Sequence, residues 1–386
     1  MIRKPRCWLI NRIIVSIFVV CLSSIRSGAG NPQATAACAR ALSQGTVCEA
    51  ANKRAIELMN SAGREAATVV QDVQTGALIV FAATPDSNAG RRSIGKLEVT
   101  TQVLPLSLTK LFLAAAWWDR GLPERKFECI RNSGAGGGAR ETVQMTIHEM
   151  IAIGCDLPAK QMAVALRRSV GTKAVLSDLQ RFGFGRRSQM SLDNSFWAEL
   201  APDLRERLVP ASAYTSLSAG TKDAEWADTL SLGETNFIVT SLHISRFLQA
   251  VGNQGMLLPP HAGLESSGSK VTASAGKPRR VLQESTARRL QAAMRDVVHR
   301  GSAQSIAHAL DGTGWQIGGK TGTGPSPEPI GPQSDGWFAG LVFDPQGRAR
   351  FTVATFVRHG GRGGGNAAMI SAGIARFLIE NGANLK

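Results

Sequence analysis

The sequence predicts an α/β (α+β) fold in which a five-stranded antiparallel sheet, flanked by helices, is assembled from the two ends of the chain. Strand patterns bounded by turn residues occur near the start and again in the last third. They cover residues 67–73, 77–83, 316–319, 336–343 and 351–357. Because the middle third carries helical and turn signals instead, we expect an all-helical subdomain at about 122–246, inserted between the two parts of the sheet.

The first two strand patterns are separated by the turn 74–76, and this short connection predicts a hairpin. Helical spacing of apolar residues predicts several helices. They are expected at 50–62, from Ser107 to Gly121, within 147–170 with breaks at Gly154 and Pro158, at 240–251, and at 367–379.

The composition is that of an ordinary globular protein of 386 residues, with 43% hydrophobic and 19% charged residues. The N-terminus differs, because basic residues precede the apolar run 13–22 and small residues follow it. That order is typical of a secretory signal peptide at 1–30, with an uncleaved anchor as the alternative. We therefore expect an exported protein, in the periplasm or on the outer face of the cytoplasmic membrane. An extension with the first helix would follow at 31–66, and one two-lobed domain at 67–386.

The net charge of the chain is +15, and five of its basic residues lie in the expected leader. A basic surface can bind an anionic cell-wall polymer, a membrane surface or nucleic acid. Nucleic acid is not expected, because the chain has no basic stripe interleaved with aromatic residues and the leader indicates export. No Cys/His cluster has metal-ligand spacing, so neither a metal nor another cofactor is predicted.

Four cysteines follow the leader, and an even number in an oxidising compartment allows two disulfides. Cys38 and Cys48 are the favoured pair because they are close in sequence. Cys129 and Cys155 would form the second pair, with free buried thiols as the alternative.

A serine and a lysine three residues apart, Ser107 and Lys110, stand at the start of a predicted helix. Residues at this spacing share one helical face. Ser107 would lie in the first turn, where free N–H groups and the positive helix end favour developing negative charge. Lys110 could accept its proton or stabilise the alkoxide, so the pair is a candidate nucleophile with its activator.

A second candidate group is the run Lys320, Thr321, Gly322 and Thr323, which we expect at the end of a strand. Small residues let a substrate backbone pair with a strand edge. The lysine supplies positive charge, and the two threonine hydroxyls can donate to a carboxylate. The S-x-x-K and K-T-G-T patterns would rarely occur together in one chain by chance.

With S-x-x-K on a helix and K-T-G-T on a later strand, the chain resembles the penicillin-recognising serine enzymes. These comprise penicillin-binding transpeptidases, D,D-carboxypeptidases and serine β-lactamases. The resemblance covers nearly the whole mature chain, is closest to transpeptidases, and implies a β-lactamase/transpeptidase-like fold. It includes the stretches 75–76, 231–233, 239–240, 253–255, 259–260, 297–303 and 336–340. A standalone transpeptidase-type domain is the expected architecture.

The third motif of this family, S-x-N, is degenerate here. By position it falls on Gly154, Cys155 and Asp156, which lack both the hydroxyl and the amide. Asp156 could instead pair with Lys110 or with Lys320 and alter its basicity. Two substitutes are conceivable: Ser133 in the glycine-rich loop, and the stretch 191–194.

The resemblance implies acyl transfer through a serine ester. Ser107 would attack the carbonyl of a peptidoglycan stem peptide or a β-lactam, and Lys110 would accept its proton. The backbone N–H groups of Ser107 and Thr323 would form the oxyanion hole. Lys320, Thr321, Gly322 and Thr323 would bind the terminal carboxylate.

Three functions stay open from the sequence. The first is an active D,D-transpeptidase or D,D-carboxypeptidase. The second is a weakly active or non-catalytic relative that binds wall fragments or partner proteins, which the loss of S-x-N favours. The third is a serine β-lactamase, although no acidic residue stands in a recognisable deacylation motif.

Overall fold

The structure is a computed structural model, and it describes residues 46–84, 101–132, 140–184, 214–258, 263–264, 278–326 and 334–382. The expected leader, Cys38, Ser133 and the stretch 191–194 lie outside the described residues. None of the described helices combines the length and apolar character that crossing a bilayer requires.

The longer strands are β1 (Ala66–Asp72), β2 (Leu78–Ala83), β3 (Phe127–Asn132), β4 (Arg140–Met145), β5 (Gln316–Gly324), β6 (Asp335–Phe343) and β7 (Ala349–Val357). The α-helices are α1 (Glu49–Ser61), α2 (Thr109–Asp119), α3 (Ile147–Ile153), α4 (Asp156–Val170), α5 (Thr172–Arg181), α6 (Asp223–Ser231), α7 (Ser241–Gly252), α8 (Glu284–His299) and α9 (Asn366–Asn381). Two short 3₁₀ helices cover Leu106–Leu108 and Gln304–Ile306. Two-residue strands lie at Thr46–Val47, Tyr214–Thr215, Phe237–Ile238, Met256–Leu257, Gly263–Leu264 and Arg279–Arg280.

The main sheet has five strands in the order β5–β6–β7–β1–β2, and all neighbours are antiparallel. The predicted assembly from both chain ends is therefore confirmed. Within this sheet β5 is an edge strand, so one side of its backbone faces away from β6.

Both faces of the sheet are covered by helices, which explains why its central strands are buried at nearly every position. Helices α1 and α9 pack together on one face, and α7 and α8 pack on the other. The core is continuous from the sheet through these layers into α2 and the inserted region.

The inserted region is not all-helical as expected, because β3 and β4 pair as an antiparallel hairpin. Most of β4 faces solvent, so its sequence lacks the apolar alternation that would have predicted a strand. The predicted glycine-rich loop at 134–138 falls between these strands in sequence and lies outside the described residues. The hairpin packs against α4.

The helix break expected at Gly154 is confirmed, since α3 ends there with a left-handed cap at φ +85°. The break expected at Pro158 is wrong. Pro158 is the third residue of α4, and the N–H that proline lacks has no intrahelical partner in a first turn.

One predicted disulfide is observed between Cys129 on β3 and Cys155, so the alternative of free thiols is wrong for these two residues. Cys48 is also disulfide-bonded. Its expected partner, Cys38, lies outside the described residues.

Candidate active site

Ser107 lies in the 3₁₀ turn that leads directly into α2, and its side chain is half-buried. The preceding residue, Leu106, has the left-handed value φ +53°, which is unusual for a branched side chain. Its N–H donates to Gly233 O at 3.1 Å. A Cβ at Gly233 would lie 2.3 Å from Leu106 O, so only glycine fits there. This close contact holds the strained turn that orients Ser107.

Lys110 lies on the first turn of α2 and contacts Ser107 as the spacing predicts. Its Nζ donates to Ser107 Oγ at 2.7 Å and to Asp156 Oδ1 at 2.7 Å. The Lys110 side chain is fully buried, whereas the Asp156 carboxylate is 57% exposed. Of the two partners that the sequence left open for Asp156, the structure therefore shows Lys110.

Two opposing effects act on the protonation of Lys110. Burial lowers its pKa from the ordinary value, because desolvation disfavours the ammonium, while the carboxylate of Asp156 opposes this shift. Burial has the larger influence, so the net direction is downward. Lys110 is thus easier to deprotonate than a surface lysine, although it carries an ion-pair partner.

Lys320 projects from β5 towards the same place and is also buried, at 1% exposure. Its Nζ donates to Thr321 O at 2.8 Å. Burial and the neighbouring Lys110 charge lower the pKa of Lys320 to about 7. The site therefore holds two buried lysines, which repel each other when both are charged.

The rest of the K-T-G-T run lies in the C-terminal half of β5 and ends one residue before the strand does. Both threonine hydroxyls take part in hydrogen bonds. Thr321 Oγ1 and Ser302 Oγ are 2.6 Å apart. The exposed Thr323 accepts a hydrogen bond from the Gly363 N–H at 3.0 Å, which leaves its own hydroxyl proton free to donate. Gly322 packs against Trp337 and Leu106, where a larger residue would crowd.

The degenerate motif lies at the junction between α3 and α4. An ideal Cβ at Gly154 would be 3.6 Å from Lys320 Nζ, so position 154 faces Lys320 although it carries no side chain. Cys155 caps α4 without a side-chain hydrogen bond, and Asp156 is its first residue.

Three neighbours of the site were missed by the sequence reasoning: Leu106, Ser302 and Glu234. The Glu234 carboxylate lies 3.3 Å from the Cβ position of Gly324, at the end of β5. Burial raises the pKa of Glu234, and Asp156 raises it further. The sequence signal that could have pointed to Glu234 is its position directly after Gly233, the glycine that packs on Leu106. Across the described ranges, no group of His, Cys, Asp and Glu could hold a metal ion.

The chain matches the family described as "Penicillin binding protein transpeptidase domain" over residues 66–376. This match covers most of the chain, and the chain therefore belongs to the penicillin-binding protein transpeptidase family. A search of curated protein sequences finds no match.

Solved structures share the fold. A peptidoglycan glycosyltransferase from Burkholderia ambifaria is 18% identical with a TM-score of 0.62, covering 86% of this chain and 95% of its own. Penicillin-binding protein 3 from Mycobacterium tuberculosis, complexed with aztreonam, is 20% identical with a TM-score of 0.60, covering 85% and 75%. The transpeptidase domain of penicillin-binding protein 3 from Burkholderia pseudomallei is 18% identical with a TM-score of 0.61, covering 86% and 92%.

Proposed function

We propose that this chain is a D,D-transpeptidase or D,D-carboxypeptidase that acts on peptidoglycan stem peptides and binds β-lactams through a serine acyl-enzyme. The observation that carries the proposal is the 2.7 Å contact between Lys110 Nζ and Ser107 Oγ beside the β5 edge. A buried lysine with a lowered pKa is a suitable base for a serine nucleophile.

Acylation begins once Lys110 has lost its proton. Ser107 Oγ then attacks the substrate carbonyl, and its proton passes to Lys110 Nζ. The leaving amine takes a proton as the C–N bond breaks, which gives the serine ester. The N–H groups of Ser107 and Thr323 stabilise the oxyanion, and each such donor contributes about 10²–10³-fold in other enzymes. Water or an acceptor amine then removes the acyl group.

Substrate binding is assigned to β5. A substrate backbone adds to the free edge of this strand, and its terminal carboxylate lies near Lys320 with Thr321, Gly322 and Thr323. The hydroxyl proton of Thr323 can donate to that carboxylate, since its oxygen accepts from Gly363. This substrate is found outside the cytoplasm, which agrees with the leader expected at 1–30. An anionic wall or membrane surface fits the basic net charge.

A weakly active or non-catalytic binding protein is the second candidate. It is favoured by the ion pair between Asp156 and Lys110, which stabilises the protonated form of the base. It is also favoured by Gly154, because a hydroxyl that could relay a proton is missing at the position facing Lys320. Losing such a relay reduces rates by about 10²–10⁴-fold in other enzymes.

One experiment separates these functions. The purified chain is incubated with a fluorescent penicillin, and labelling is followed by gel and intact mass, with Ser107→Ala as the control. We expect a stable label that requires Ser107, and release of D-alanine from a stem-peptide mimic. A label without peptide turnover supports the binding protein, and rapid turnover of a chromogenic β-lactam indicates a serine β-lactamase. No Ser107-dependent label on folded protein would contradict the proposed acyl-enzyme.

A further inference from the structure

The only disulfide defined between described residues occupies the centre of the degenerate motif. Cys155 stands between Gly154, the left-handed end of α3, and Asp156, the first residue of α4. Its partner, Cys129, is buried at 2% exposure in the β3–β4 hairpin. The disulfide therefore links the hairpin to Cys155, and the next residue, Asp156, contacts Lys110.

The start of α4 packs into the core through Pro158 and Ala159, but no side chain caps it. Helices usually begin with a side chain that accepts from a first-turn N–H, and Cys155 makes no such bond. The ion pair between Asp156 and the buried Lys110 involves a side chain that is more than half exposed, so solvent weakens the attraction. The disulfide is a covalent restraint on the residue directly before Asp156.

We propose that the Cys129–Cys155 disulfide is a positioning element of this site, which holds the Asp156 carboxylate against the Lys110 ammonium. The inference rests on the proposed function, because it concerns how Lys110 serves Ser107. Cys129 and Cys155 touch no substrate and act only through Asp156.

Several charged groups face Lys110, and none of them belongs to the disulfide. Asp156 and Lys160 come from α4, Glu234 follows α6, and Lys320 comes from β5. Opening the disulfide with a dithiol transfers two electrons and two protons, which gives two cysteine thiols and the oxidised dithiol. No charge at the site is added or removed, so any change in Lys110 must come from movement of the α4 terminus.

The direction of the effect follows from the charges. Asp156 raises the pKa of Lys110 against the larger effect of burial. When Asp156 moves away, Lys110 loses its proton at lower pH, and the acid limb of the acylation profile moves to lower pH. The exposure of Asp156 to solvent limits the size of this change without altering its direction.

The test is the rate of Ser107 labelling by a fluorescent penicillin, measured as a function of pH. The full chain is compared with Cys129→Ser/Cys155→Ser, with Asp156→Asn, and with the triple variant. We expect the double serine variant to move the acid limb of the pH profile to lower pH, towards the position of Asp156→Asn. The triple variant should match Asp156→Asn, because both changes act through one contact.

Gln161→Ala is the matched control. Gln161 Oε1 accepts from the Glu128 N–H at 3.0 Å, so this variant removes another contact between the hairpin and α4, one turn away from Asp156. It should leave the acid limb in place. If the double serine variant does not fold, the parent is reduced in the folded state with a dithiol. Because Cys48 is disulfide-bonded as well, peptide mapping after alkylation identifies which cysteines were freed.

The outcomes are separable. Labelling whose pH profile is unchanged after loss of the disulfide would overturn the inference and leave the proposed function intact. A shift of equal size in Gln161→Ala would also overturn it, since it would indicate general loosening. If Ser107 is never labelled, the proposed function itself fails.

Discussion

The two sides of the candidate site differ in how closely they keep the family pattern. On the strand side, Lys320 to Thr323 are complete and lie in a nine-residue strand paired along its whole length with β6. On the junction side, between α3 and α4, the corresponding positions hold Gly154 and Asp156. The chain therefore retains the groups expected to bind a carboxylate, and it lacks the hydroxyl and the amide that the S-x-N motif would supply.

The electrostatics of the two sides differ in the same sense. Lys320 is buried without a carboxylate at contact distance in the described part of the chain, and its pKa falls to about 7. Lys110 is equally buried, but it has Asp156 at 2.7 Å. The lysine proposed to bind an anion and the lysine proposed to accept a proton therefore have different electrostatic surroundings.

The two sides are nevertheless joined behind the site. The loop after α8 passes so close to the end of α3 that a Cβ at Gly301 would lie 2.0 Å from Ala152 O. Ser302 in the same loop donates its N–H to Ala152 O at 3.3 Å and contacts Thr321 through its hydroxyl. Substitutions that test one side should therefore be read against controls that leave this loop intact.

The largest effect is expected from Lys320→Met on the strand side. Penicillin labelling should fall by about 10–100-fold, because a charge-assisted hydrogen bond to the substrate carboxylate contributes about 1.5–3 kcal/mol. Lys173→Met is the matched control, since Lys173 is an exposed lysine on α5. It should change the rate by less than about twofold. Equal losses in both variants would contradict a specific role for Lys320.

The same variant should be more stable than the parent at neutral pH, by about 1–3 kcal/mol, because it removes a buried charge. The pKa of Lys320 is about 7 in the folded protein and 10.5 in the reference state. The buried charge of Lys320 therefore destabilises the fold fully below about pH 7, and this destabilisation declines as pH rises towards 10.5. Chemical denaturation across this range should show the advantage of Lys320→Met shrinking with pH.

The next effect is expected from Asp156→Asn on the junction side, and it has the opposite sign. Without the carboxylate, the pKa of Lys110 falls further, so labelling at neutral pH should rise by about three- to tenfold. Asp228→Asn is the matched control, because Asp228 is a nearby carboxylate that pairs with Lys160 rather than Lys110. The acid limb of its labelling rate, plotted against pH, should not move. Slower labelling by Asp156→Asn would mean that the carboxylate positions Lys110 and does not restrain its proton.

The comparison also shows where sequence reasoning succeeded. Ser107 and Lys110 are one helical turn apart, and local spacing was enough to bring Nζ to Oγ. The five sheet strands were predictable because buried apolar runs end at glycine, proline and aspartate. The family pattern then indicated which residues of β5 to single out. The catalytic roles of all these residues stay predictions.

What could not be predicted depends on contacts between distant segments. The left-handed backbone of Leu106 exists because Gly233, far along the chain, packs against its carbonyl. Ser302 and Glu234 lie at the site because the tertiary fold brings them against Thr321 and Gly324 of β5. The hairpin β3–β4 was missed because most of β4 faces solvent and carries no apolar pattern, and the structural context of Cys129 was missed with it.

The smallest effect on labelling is expected from Gly154→Ser, which returns a hydroxyl to the junction. Gly154 has φ +85°, so a serine there is strained and should lower stability by about 1–2 kcal/mol. Labelling should change by less than about threefold, because Asp156 still stabilises the charge on Lys110. Thermal unfolding and penicillin labelling measure the two effects.

Combining Gly154→Ser with Asp156→Asn restores the S-x-N pattern and distinguishes two causes of an altered junction. If the charge of Asp156 limits the proton transfer, the double variant should label about as fast as Asp156→Asn alone. A gain of tenfold or more from Gly154→Ser by itself would instead identify the missing hydroxyl as the limiting feature. The missing hydroxyl at position 154, and not the added charge of Asp156, would then be what limits the junction side.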